Sequence, residues 1–146
     1  MLAIYRLAHW TYTRRVPFLP RLLYVLNRIL FAVVLPPSAK IGRDVVFGYS
    51  GLGIVIHARC TIGDRVHIGT NVTIGGRGGE PVVPIIDDDV QSGTGAKILG
   101  AVHVGRGAKI GANAVERNDM PSGATVVGIP ARVINASDAA RSSATE

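Results

Sequence analysis

The sequence predicts a mainly β fold, a left-handed parallel β-helix preceded by a short helical segment, and three observations carry that prediction. An aliphatic residue, usually followed by glycine, recurs every six residues over much of the chain. Small or β-branched residues stand four places after those positions. The composition, 18 Gly and 8 Pro against three Phe and one Trp, argues for a thin aliphatic core rather than a thick aromatic one. A length of 146 residues is that of a single domain.

Residues 1–37 read as a basic, apolar helical segment. Residues 1–43 hold seven Lys or Arg and no acid, whereas 44–146 hold nine bases and ten acids. The arginines alternate with Trp10, Tyr12, Phe18, Tyr24 and Phe31, a mixture suited to an anionic membrane surface rather than a nucleic-acid groove. The run LLYVLNRILFAVVL, Leu22 to Leu35, is shorter than the roughly 20 apolar residues that span a bilayer. It should therefore lie on a surface, either packed on the body or a neighbouring subunit or in contact with lipid, and the two are compatible. Pro36 and Pro37 are expected to end the helical stretch, since proline lacks the amide hydrogen and disfavours helix in the residue before it. A secretory signal is disfavoured because no small-residue cleavage site follows the apolar run. The lone Cys60 excludes an internal disulfide and suits a reducing compartment, so the expected location is the cytoplasm, peripheral to the inner face of the membrane. No Cys/His spacing of the zinc type occurs, and no metal is expected.

Residues 38–134 carry the coil. Ile41-Gly42, Ile62-Gly63, Ile68-Gly69, Ile74-Gly75, Val104-Gly105 and Ile110-Gly111 mark the repeat, with Ile86 and Ile98 in phase. Val45, Cys60, Val66, Val72, Val90, Ala96, Val102, Ala108 and Ala114 fill the second, narrower inward position. Two inward positions in six suit a short strand and a tight corner, and three hexads close one triangular turn. The phase stacks Ile56, Ile74, Ile98 and Glu116 on one wall, Ile41, Ile62, Ile86 and Val104 on another, and Phe47, Ile68, Ser92 and Ile110 on the remaining one. Two excursions keep the stacks aligned, three residues within GYSGLGIV and six within GGRGGEPVVP. Ser92 and Glu116 stand where an aliphatic residue is due. A buried carboxylate is costly unless paired, so Glu116 is expected to be partly exposed near the open end. Residues 135–146, NASDAARSSATE, read as a polar tail.

The runs GIVIHARCTIGDRVHIGTNVTIGG, QSGTGAKILG, VGRGAKIGANAV and GATVVGIPARVI resemble, in order as well as in repeat, the serine acetyltransferase branch of the hexapeptide acyltransferases. The short basic N-terminus is similar to that of relatives acting in colanic-acid and exopolysaccharide synthesis. The resemblance implies a homotrimer, acetyl-CoA as acyl donor in the groove between neighbouring coils, and a hydroxyl acceptor. The family pattern puts Asp-His after the inward residue at the first excursion and His before a proline at the second. Here those positions read Gly48-Tyr49 and Val83-Pro84.

Acyl transfer to a hydroxyl needs a base, oxyanion donors and a slot for the pantetheine arm. Of His9, His57, His67 and His103, His57 follows an inward residue at the corner from which, one turn later, the larger excursion leaves. It is the candidate base, with Tyr49 across the cleft as donor or relay; the other reading of His57 is an exposed corner residue. His67 and His103 fall one place before inward positions and should point outward. Gly75, Gly76 and Arg77 open the larger loop, where small residues let the backbone approach a thioester. The resemblance carries coenzyme contacts onto Thr94, Gly95, Ala96, Gly111, Ala112, Arg117, Asn118 and Arg132. Guanidinium groups suit the coenzyme phosphates. The leading reading is an acetyl-CoA-dependent O-acetyltransferase whose acceptor is a saccharide hydroxyl in surface-polysaccharide synthesis. The alternatives are serine O-acetylation and a non-catalytic trimeric scaffold.

Overall fold

A computed structural model describes residues 1–78 and 81–134. The polar tail lies outside the described residues. Two helices, α1 (Leu2–Thr13) and α2 (Leu19–Phe31), form a hairpin, and a left-handed parallel β-helix follows. The first wall stacks strands Lys40–Ile41, Thr61–Ile62, Ile85–Ile86 and His103–Val104. On the second wall lie Val46–Phe47, His67–Ile68, Gln91–Ser92, Lys109–Ile110 and Thr125–Val127, and Arg132–Ile134 returns antiparallel to the last of these. The third wall carries Val55–Ile56, Thr73–Gly75, Lys97–Leu99 and Val115–Glu116.

The registers are those the repeat predicts. Ile41 pairs Ile62, Ile62 pairs Ile86 and Ile86 pairs Val104; the second wall stacks Phe47, Ile68, Ser92, Ile110 and Val126; the third stacks Ile56, Ile74, Ile98 and Glu116. The aliphatic members and the narrow positions from Val45 to Ala114 form one continuous core. Each fully buried aliphatic chain stabilises the coil by roughly 1.5–3 kcal/mol. Parallel pairing places like residues in line because each turn repeats the last. Ser92 is buried and donates a long bond to the His67 carbonyl (3.4 Å).

Both excursions fall where the phase requires. The first contains a turn, Gly48–Gly51, with Tyr49 and Ser50 in consecutive left-handed conformations. The second leaves the coil after Gly75 and rejoins it at Ile85, and Val83 returns to the core.

The helical segment ends earlier than the prolines suggest. α2 stops at Phe31, and Ala32 takes a left-handed conformation (φ 50°) while its amide caps the Arg28 carbonyl. Val33 and Leu35 are buried, and Val34 bridges Val55. Val34 donates to Ile54 and accepts from Ile56, so these residues pair with the exposed edge of the third wall. An unpaired strand edge outcompetes one more helical turn because it offers both hydrogen bonds and a core. The hairpin sits on this end of the coil through α1. The Tyr5 hydroxyl donates to the Ala39 carbonyl (2.6 Å), and Arg6 donates to the carbonyls of Ile41 and Gly42. No helix among the described residues is long and apolar enough to cross a membrane.

Candidate functional site

His57 stands on the edge between the third and first walls. Its amide donates to the Ile74 carbonyl (2.9 Å) and its carbonyl accepts from Cys60 (3.0 Å), which fixes the backbone at the corner. Gly75 follows Ile74, so the larger loop leaves directly beside His57, as the spacing predicts. The half-buried imidazole accepts the Arg59 amide hydrogen at Nδ1 (3.2 Å). An accepting Nδ1 puts the proton of a neutral ring on Nε2. In this pose the outer nitrogen is a donor. Taking a proton at Nε2 requires the Nδ1–H tautomer and release of the Arg59 amide.

Gly75 differs from the structural glycines. A Cβ on Gly69 would lie 2.6 Å from the Thr94 amide nitrogen, so packing alone demands glycine there. On Gly75 it would meet nothing within 4 Å. The clear space beside His57 is therefore not needed by the coil itself.

Farther along the same edge, Arg77, Arg117, Asn118 and Arg132 line one cavity of about 280 Å³ with Pro130 and Ala131. Four of the coenzyme candidates converge there. The organising residue is Glu116. Its side chain is only 3% exposed, not partly exposed as expected, and its Oε1 accepts the amide hydrogens of Arg117 and Asn118, both at 2.8 Å. The two amides satisfy Oε1 and pin the turn that carries both cavity residues. Sequence reasoning missed this role although the break in phase at Glu116 signalled it. His57 follows the first strand of the third wall and Arg117 the fourth, three steps of about 4.8 Å, so roughly 14 Å of edge separates them.

Gly76 stays beside Gly75 at the larger loop, an added Cβ there lying 3.6 Å from Val83, while the other candidates lie on the edge between the second and third walls. Thr94 accepts from the Thr70 hydroxyl (3.3 Å), while Gly95 and Gly111 are crowded by Asn113 and Val127. Ala112 is exposed. Ala96 is fully buried, its amide donates to Gly93 and its carbonyl accepts from Thr73, which leaves no group for a ligand. Tyr49, 89% exposed, is on this edge too. It does not face His57 across a cleft within one chain, because the third wall separates them. The two sets of residues can share a groove only where the edges of two copies meet.

Two of the remaining histidines, His103 and His9, are otherwise engaged. His103 pairs with Asp87 (3.0 Å) on the exposed face of the first wall, and His67 is exposed on the second. His9 bonds the Pro37 carbonyl (2.7 Å) and stacks on Tyr5. Along the third edge, between first and second walls, Arg43–Asp64 (3.1 Å), Arg65–Asp89 (2.6 Å) and Arg106–Asp88 (3.0 Å) form an ion-pair ladder. The Arg43 amide, then its guanidinium, holds the Asp64 carboxyl below its ordinary value; Arg65 does the same for Asp89. Burial pushes the Cys60 thiol up to about 11, keeping it protonated and inert. No group of three or more metal-ligating side chains occurs among the described residues.

No family model matches the chain. Curated relatives do. The chain is 44% identical over 136 residues to the serine acetyltransferase of Helicobacter pylori strain 26695, covering 91% of this chain and 78% of that one. The chain belongs to the serine acetyltransferase family. It is also 45% identical over 132 residues to the serine acetyltransferase of Bacillus pumilus, covering 89% of this chain but only 60% of that protein's length. The solved serine acetyltransferase of Brucella abortus in complex with coenzyme A superposes with a TM-score of 0.87 at 33% identity, over 92% of this chain and 54% of that one. The chain thus spans little more than half the length of several serine acetyltransferase relatives.

Proposed function

We propose that this chain is an acetyl-CoA-dependent O-acetyltransferase working in grooves between the coils of a homotrimer. The observation that carries it is the convergence of Arg77, Arg117, Asn118 and Arg132 on one cavity at the same edge as His57 and Gly75. Guanidinium groups at one end suit the coenzyme phosphates. The roughly 14 Å of edge matches an extended pantetheine arm, and the clear space at Gly75 admits the thioester. The acceptor hydroxyl oxygen then attacks the acetyl carbonyl carbon, the carbon–sulfur bond breaks, and the hydroxyl proton passes by way of His57 to the leaving thiolate. His57 does this as the Nδ1–H tautomer, with the Arg59 amide released. Thr94 and Ala112 of the neighbouring copy would line the opposite side, with Tyr49 near the acceptor.

L-Serine is the acceptor that the relatives' names support. A saccharide hydroxyl is the second reading, favoured by Gly48-Tyr49 and Val83-Pro84 standing where the family pattern carries histidines. Thiol release from acetyl-CoA, measured with L-serine and a panel of saccharides, tests both. His57→Ala should lower kcat by roughly 10²–10⁴-fold, and Arg132→Ala should raise KM for acetyl-CoA. Absence of acetyl-CoA binding in the parent protein would leave the coil a scaffold and overturn the proposal.

A further inference from the structure

α2 is built inside out. Leu22, Val25, Leu26, Ile29 and Leu30 fall at i, i+3, i+4, i+7 and i+8, the spacing of one helical stripe, and all are 41–75% exposed. The opposite face buries Asn27, 1% exposed, whose Oδ1 has no hydrogen-bond partner. A helix that served only to cover the coil would turn the apolar stripe inward and the asparagine outward. At the connection between the helices, Phe18 is 88% exposed. The charges around this surface share one sign: Arg14, Arg15, Arg21 and Arg28 are exposed, Arg14 lies over the Trp10 ring at 4.8 Å, and no acid occurs in residues 1–43.

We infer that this stripe is a docking surface for an anionic lipid bilayer, with α2 lying in the plane of the interface. Charge selects that occupant. A second copy packed stripe to stripe would bring Arg21 and Arg28 against the same residues, with no carboxylate in the segment to offset them. An anionic bilayer offers an apolar layer for the stripe and phosphates for the arginines. At 13 residues the helix is too short to cross, which leaves the interfacial orientation.

Flotation of the full chain with vesicles of phosphatidylcholine alone, or of phosphatidylcholine with phosphatidylglycerol, tests this inference. Binding is expected only to the second, should weaken in high salt, and should shift the emission of Trp10, the single tryptophan, to the blue. Leu22→Glu with Ile29→Glu should abolish binding. Arg21→Gln with Arg28→Gln should weaken it by roughly thirtyfold. All four side chains are exposed, so thermal unfolding should match that of the parent and thiol release from acetyl-CoA should be unchanged. Failure to float with anionic vesicles overturns the inference. So does a drop in sedimentation mass on Leu22→Glu with Ile29→Glu without lipid binding by the parent, which would assign the stripe to a second copy.

Discussion

At the scale of the residue, Gly75 and Glu116 separate what the coil needs from what the site needs. Gly75→Ala adds a methyl group into open space at a position without left-handed backbone, so thermal unfolding should be unchanged while kcat/KM for acetyl-CoA falls. Gly69→Ala, whose Cβ would collide with backbone, should destabilise by about 1–3 kcal/mol by overpacking. Equal effects of the two substitutions on stability would refute the distinction. Glu116→Ala removes the acceptor of the part-buried Arg117 and Asn118 amides, at about 0.5–1.5 kcal/mol for each hydrogen bond lost, and loosens the turn that carries both residues. Glu116→Gln keeps an acceptor oxygen and should retain most of the coenzyme affinity in calorimetric titration. Cys60, buried and protonated, should react with thiol reagents only after unfolding.

At the scale of the element, one strand with its corner is the repeated unit, and its inward aliphatic residue sets its contribution. Ile98→Ala on the third wall should cost about 2–5 kcal/mol, read from denaturant midpoints. The ladder on the edge between first and second walls gives acid sensitivity. Asp64 and Asp89 have folded values below the ordinary 3.8, so their contribution is complete above that value and is lost as pH falls through the lowered one. Asp89→Asn should therefore lower Tm slightly at neutral pH and make no difference in strong acid. A difference in Tm that persists there would show that Asp89 acts through packing instead.

At the scale of the whole molecule, each wall has two edges, and the candidate residues divide between them. His57, Gly75 and the arginine cavity occupy one edge of the third wall, while Tyr49 and Thr94 occupy the other. A groove uniting them requires two copies. If both His57→Ala and Tyr49→Ala inactivate the protein, co-assembly of the two variants should restore activity, because in the proposed homotrimer mixed assemblies would contain grooves in which both residues are intact. Activity no higher than the sum of the separate variants would place the chemistry on one chain.

The sequence by itself determined the coil, its three stacks, the position of both excursions and the neighbourhood of His57 and Gly75. It could do so because a six-residue period in a parallel coil maps residue number directly onto wall and level. It also placed Arg117 and Arg132 among the coenzyme candidates, though only through resemblance. Tertiary structure alone decided the rest. The burial of Glu116 depends on two amides that follow it, the tautomer of His57 on the turn to Arg59, and the early end of α2 on a free strand edge one turn away. Such outcomes rest on which donors, acceptors and edges remain unpaired once the chain has closed on itself, and periodicity carries no record of that.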